Sequence, residues 1–171
     1  MATVELTRGK VAVIDEVDRL LVEGHSWCAN PRILKSGVRW FATTSMNGKM
    51  VKMHRVLLGL KPGDPDVDHI DRDGLNNRRG NLRLATQTQN NANSIGSPTR
   101  RMSRYKGVYW DRDNRYRASG YWIATVMVNG KQITRCAATE IEAAAAYNQL
   151  ALQHFGEFAR LNDRVADVAS P

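Results

Sequence analysis

Hydrophobic residues fall in short alternating runs over most of the chain and in helical spacing over a few segments. "KVAVID" (10–15) and "VRWFATTS" (38–45) carry the period of two expected of strands. In "MNGKMVKM", Asn47-Gly48 separates two strand-like runs, the pair that closes a tight hairpin. "DEVDRLLVEG" places Val17, Leu20 and Leu21 at helical spacing, with Asp15 as cap and Gly24 as stop. Trp27, Trp40 and Phe41 are expected to anchor a small mixed core. "HRVLLGL" reads as a short helix before Pro62 and Pro65. "VDHI" and "NLRL" read as strands around an irregular loop, and Thr86 with Gln89 fits a capping box for a helix from about Gln87.

Downstream, strands are predicted over Gly107–Trp110, Trp122–Val128 and Lys131–Cys136, the last two joined by Asn129-Gly130. A helix follows in "TEIEAAAAYNQLALQHFG", capped by Thr139 with Glu142 and ended by Gly156. Ile141, Ala144, Ala145, Tyr147, Leu150 and Ala151 are expected to form its apolar stripe. Between the halves, "SIGSPTRRMSR" is small, polar and basic and reads as a linker. The fold class is therefore α+β: a mixed N-terminal region, then a three-stranded antiparallel sheet packed on one helix.

Composition sharpens the partner. The chain of 171 residues has a formal charge of +8 and a pI near 9.9, which points to a polyanion. Residues 1–97 carry 14 basic and 10 acidic side chains and residues 98–171 carry 11 and 7, so both halves share the excess. Cys28 and Cys136 form no C-x-x-C pair, which argues against structural zinc and a disulfide framework. The N-terminus lacks a signal-peptide pattern and no segment has membrane-span length, so a soluble, cytoplasmic protein is expected.

The candidate chemistry lies in "VDHIDRDGLNNRRGNLRLATQTQNNANS" (67–94), where Asp68-His69 precedes an asparagine-rich stretch. A carboxylate and an amide oxygen are hard ligands suited to Mg²⁺, with phosphate and water oxygens completing the shell. A neutral imidazole beside that cation can deprotonate water, and a loop carbonyl accepting from its other nitrogen would fix the tautomer. Such an assembly hydrolyses phosphodiesters.

"MHR", "VDHID", "NNRRGNLRLAT" and the later "NN" resemble the HNH endonuclease family, in the His-Asn-Asn variant of phage and intron-encoded homing endonucleases. The resemblance implies a ββα-metal motif over residues 53–95, preceded by a β-rich part (1–52) of a nuclease domain spanning 1–95. It implies Asp68 as metal ligand, His69 as general base and Asn81 as the loop residue positioning it. Asn90 becomes the second metal ligand, where many relatives carry a final His, and His54 supports the cleft. Mg²⁺ or Mn²⁺ is the implied cofactor, with no small-molecule cofactor.

"YKGV", "WIATV", "NGK", "EAAAAYNQLA" and "FGEFARLN" resemble the Apetala-two DNA-binding domain, which implies residues 104–164 as a major-groove reader. A basic linker (96–103) and a tail (165–171) flank it. "RCAAT" departs from the family's usual run after the third strand, which leaves the contact set open. Strand alternation puts Ala124, Val126 and Val128 in the core and Thr125 and Met127 outside. The DNA-facing set is Lys106, Tyr109, Thr125, Met127, Gln132 and Thr134, with Arg112, Arg115 and Arg117 of the turn reaching phosphates or guanine edges and Arg100, Arg101 and Arg104 of the basic segment also expected to bind DNA. Trp110 and Trp122 read equally as core or contact. The expectation is a site-preferring, metal-dependent endonuclease (double-strand cutter or nickase) acting on double-stranded DNA as a monomer or weak dimer, in host cytoplasm if phage-encoded. The alternative is a DNA-binding regulator with an inactive nuclease fold.

Overall fold

A computed structural model of the chain describes residues 1–34, 37–95, 103–112 and 120–163. Arg100, Arg101, Arg115, Arg117, linker residues 96–102 and the tail lie outside the described residues. The chain forms two compact units, Met1–Gln87 and Thr88–Pro171. Small antiparallel sheets and a few helices make it a mixed α+β protein.

In the first unit, β1 (Ala2–Glu5) pairs with β2 (Val11–Ile14). Strands β3 (Cys28–Leu34), β4 (Gly37–Met46) and β5 (Lys49–Lys52) form a second sheet with β4 in the centre. The β4–β5 turn has Asn47 and Gly48 both at positive φ, 51° and 73°, the conformation that matches the twist of the paired strands. Two strands, β1 and β3, carry no clear signal in the sequence. Pro31 interrupts the pattern of β3, but an edge strand tolerates a missing N–H. Ala12, Ile14, Val22, Trp27, Ala29, Ala42, Met53 and Leu57 pack as the core.

The expected helix after β2 is realised differently. A 3₁₀ turn (Glu16–Asp18) leads into α1 (Arg19–Val22), and Val17 and Leu20 are each 82% exposed. Val22 enters the core instead, and its carbonyl accepts from Trp27 Nε1 at 3.0 Å. Asp15 does not cap the turn, because its carboxylate accepts from Arg79 N at 2.8 Å and Arg78 Nε at 3.3 Å.

Next come α2 (Met53–Leu57), β6 (Asp66–His69), β7 (Leu82–Ala85) and α3 (Gln87–Asn93). The unit division falls after Gln87, ahead of the basic segment, so nearly all of α3 groups with the second unit. There, Ala92 O accepts from Arg160 N at 3.3 Å and from Lys106 Nζ.

The second unit contains β8 (Val108–Asp111), β9 (Tyr121–Val128), β10 (Lys131–Ala137) and α4 (Glu140–Phe155), with the sheet ordered β10-β9-β8. The capping box forms: Thr139 Oγ1 accepts from Glu142 N, and Glu142 Oε2 accepts from Thr139 N, both at 3.2 Å. Val108, Ala124 and Val126 meet Ala143, Ala144, Tyr147, Leu150 and Ala151. Ile141 is 38% exposed and Ala143 takes its place. Six residues from Tyr147, at ~100° per residue, Ile141 points about 120° away from the buried stripe. Trp110 and Trp122 are cross-strand partners with rings 5.3 Å apart, on the core side of the sheet.

Candidate active site

The β6–β7 register sets Asp68 opposite Arg83 and His69 opposite Leu82. Asp68 and Arg83 therefore share a face, and Arg83 donates to Asp68 Oδ2 from Nη2 at 2.8 Å and Nε at 3.0 Å. Both Asp68 and His69 are buried, at 5% exposure.

The loop after β6 is tied by side-chain amides. Asp71 Oδ1 accepts from Asp73 N and Asn81 Nδ2 at 2.8 and 2.9 Å, while Oδ2 accepts from Asn76 Nδ2 at 2.6 Å. Asn81 also accepts from Asp71 N at 3.0 Å and donates to Asn76 O at 2.7 Å. Gly74 lies tight against β4: a Cβ there would stand 2.6 Å from Phe41 Cδ1 and closer still to Trp40 O. Val13 clamps the next turn, donating to Leu75 O at 2.9 Å and accepting from Asn77 N at 2.7 Å.

This loop carries Asn77 under the His69 ring, with Asn77 Oδ1 3.3 Å from His69 Nε2. The Asn77 Nδ2 donates to Leu75 O at 3.1 Å, so the amide oxygen is the atom facing the imidazole. An amide oxygen only accepts, so the network assigns the proton to Nε2 and the lone pair to Nδ1 of the neutral ring. His54, from α2, stands edge-on to His69 with ring centroids 5.0 Å apart, and Phe41 flanks both at 6.5 and 6.0 Å.

Burial sets the charge state of these rings. It pushes His54 down to about 3, with the neighbouring His69, Lys52 and Arg55 adding to the effect. Burial also lowers His69, against the opposing pull of Asn77, Asp71, Asp68 and Asp73. Both imidazoles are thus neutral at neutral pH, and a neutral imidazole can accept a proton.

Arg79 fixes the frame around the site. Its guanidinium holds the buried Asp18 at 2.7–3.0 Å through Nη2 and Nε and donates to Leu57 O at 3.0 Å. That links the loop to α2, which carries His54.

The structure thus brings His54, Asp68 and His69 into one neighbourhood of the first unit. Asn81, expected to position His69, is engaged with Asp71 and Asn76, and its backbone carbonyl accepts from Ile70 N at 2.9 Å. The side chain placed against the imidazole is Asn77, which the sequence reading passed over. Its signal was available in the Asn76-Asn77 pair, since one amide closes the loop and the next faces the ring. Asn90 lies on α3, in the second unit.

Among the described residues no three His, Cys, Asp or Glu side chains form a metal-binding cluster. The Asp68 carboxylate and the Asn90 amide are each, by chemistry, hard oxygen donors of the kind a divalent cation takes. Neither Cys28 nor Cys136 forms a disulfide.

In the second unit, Tyr109, Thr125, Met127, Gln132 and Thr134 share the sheet face opposite the helix, as the registers Met127–Gln132 and Thr125–Thr134 require. Met127 is 55% exposed. Lys106 is directed to the end of α3, where its ammonium donates to Asn91 O at 3.4 Å as well as to Ala92 O. Arg104 lies over the Tyr105 ring, 5.0 Å from its centroid, and Arg112 is exposed. No helix among the described residues is long and apolar enough to cross a membrane.

Comparison with known proteins bears on the first unit most directly. Residues 51–92 match the family model described as HNH endonuclease. The chain is also 41% identical over 121 residues to an uncharacterized HNH endonuclease of Acanthamoeba polyphaga mimivirus, covering 67% of this chain. It spans 58% of that relative's length. No solved structure matches. The matched segment contains His54, Asp68, His69, Asn77 and Asn81 together, so it is over those residues that the chain is similar to the HNH endonuclease family.

Proposed function

We propose that the protein is a divalent-metal-dependent DNA endonuclease with His69 as general base. The observation that carries this reading is the buried, neutral His69 ring held by Asn77 beside Asp68, inside the HNH family segment. With the proton on Nε2, the Nδ1 lone pair takes a proton from a water aimed at phosphorus. Asp68 and Asn90 would hold Mg²⁺ or Mn²⁺, the His-Asn-Asn arrangement of homing-type members. The cation would supply Lewis-acid stabilisation of charge at the phosphate when bound. Asp71, Asn76 and Asn81 keep the loop in the conformation that presents Asn77.

The substrate in this reading is double-stranded DNA, cut on one strand or both at preferred sites. The second unit contributes the preference: its sheet, of the Apetala-two type, lays Tyr109, Thr125, Met127, Gln132 and Thr134 in the major groove. The exposed face that these residues share in the described sheet supports it. A viral setting agrees with the mimivirus relative.

A plasmid-cleavage assay tests the proposal. The wild type should cut with Mg²⁺ and stop with EDTA. His69→Ala should lower the rate by about 100- to 10,000-fold, the usual worth of a general base. Asp68→Ala and Asn90→Ala should each raise the metal concentration needed. Equal cutting by wild type and His69→Ala would remove the assigned base, and a wild type that binds DNA without cutting it would favour a regulator.

A further inference from the structure

The β3–β4–β5 sheet has a second face whose charges the chemistry at His69 does not use. In the β4 register, Arg39 lies opposite Arg32, Phe41 opposite Asn30, and Thr43 opposite both Cys28 and Lys52. Partners across a ladder share a face, so Arg32, Arg39, Phe41 and Lys52 point the same way. Phe41 on that face touches the edges of both His54 and His69, and the Lys52 ammonium lies 5.2 Å from the centre of the Phe41 ring. A row of cations therefore begins beside the candidate general base and extends along the sheet.

Resting on the nuclease reading above, we propose that Arg32, Arg39 and Lys52 form a phosphate-binding platform that seats the backbone of duplex DNA next to the phosphodiester being cut. Among the described residues, none of these three, nor Arg72, takes part in an ion pair. Arg39 is half-buried. Burial lowers its guanidinium from the ordinary value, and Arg32 and Arg72 lower it further against the attraction of Asp68 and Asp73. Like charges gathered at a partly desolvated spot repel one another, and Asp68 is already engaged by Arg83. A polyanion relieves that repulsion, and released counterions add to the gain.

The dimensions agree. From Arg39 to Thr43, the partner of Lys52, is four strand residues, about 13 Å at ~3.3 Å each. Duplex DNA rises ~3.4 Å per base pair, so the platform covers on the order of four phosphates on one strand. A solvated basic surface would scatter its charges, whereas here they line one face and converge on the imidazoles.

The test measures binding of the full chain to a labelled DNA duplex in EDTA, at several salt concentrations. Arg39→Gln and Lys52→Gln should each weaken binding several-fold and reduce the slope of log K against log salt by about one, with the double variant losing about two. Lys49→Gln, on the opposite face by its pairing with Met46, should leave the slope unchanged. Arg32→Gln, at an exposed position, gives the same readout should Arg39→Gln fail to melt cooperatively. An unchanged slope in the folded double variant, or an equal loss in Lys49→Gln, would overturn the platform. Failure of the nuclease reading shows separately, as a wild type without metal-dependent cleavage, because this measurement needs no metal.

Discussion

Among the described residues, the first unit buries Asp18, Thr43, Thr44, His54, Asp68, His69 and Asn77, whereas the second buries one polar side chain, Asn93. The second unit's core is alanine-rich and centred on Tyr147. A buried polar group is costly unless bonded, so a region that keeps several must organise the rest of its structure to satisfy them. The first unit does so through Arg79 on Asp18, Arg83 on Asp68 and Asn77 on His69. The second unit stabilises a scaffold with apolar contacts and a capped helix, and leaves a mostly polar sheet face outside. The two units thus have different kinds of interior.

Substitutions can break that contrast. The largest stability effect is expected from Arg79→Ala, which strands the Asp18 carboxylate at 2% side-chain exposure without its guanidinium. Loss of one partner from such a pair costs about 3–5 kcal/mol, readable by urea unfolding. The reverse change, Asp18→Ala, should cost less, since the half-exposed Arg79 returns to water.

Acid should come next. His54 titrates near 6.5 in the unfolded chain and at about 3 when folded, so the unfolded state takes up its proton first as pH falls. Stability is full above pH 6.5 and declines towards pH 3. His54 alone accounts for about 3 kcal/mol between pH 7 and pH 4, at ~1.36 kcal/mol per pH unit. His54→Gln should flatten that dependence. The described part of the second unit buries no histidine, and its transition should move less.

In the second unit the effect of a single polar contact should be smaller. Thr139→Ala removes the cap of α4 and should cost about 1 kcal/mol in thermal unfolding. At the bottom of the scale, Leu20→Gln should change stability by less than about 0.5 kcal/mol. Its side chain is 82% exposed despite its helical spacing.

These last two positions, Thr139 and Leu20, show where sequence reading succeeds and where it fails. Local chemistry was legible: the Asn-Gly turns at 47–48 and 129–130, the Thr139–Glu142 cap, and the strands around Asp68-His69 all rest on residues within a few positions of one another. What failed depended on distant chain. Leu20 and Val17 have the right period, but the core beside them was already filled by Val22 and Trp27. Asp15 has the right identity for a cap, but Arg79 claims it from 64 residues away. Asn77 and Asn81 look alike in the sequence. Only the hydrogen bonds through Val13 and Asp71 separate the amide facing the imidazole from the one that closes the loop.

The clamp on Val13 reaches beyond the loop it holds. The family segment starts at residue 51, yet the amide beneath His69 is registered by a strand that ends at Ile14, and the ring is walled by Phe41. Residues 51–92 transplanted alone would carry the imidazole without its seat. A working graft would have to bring the first hairpin along, although that hairpin offers no reactive group of its own.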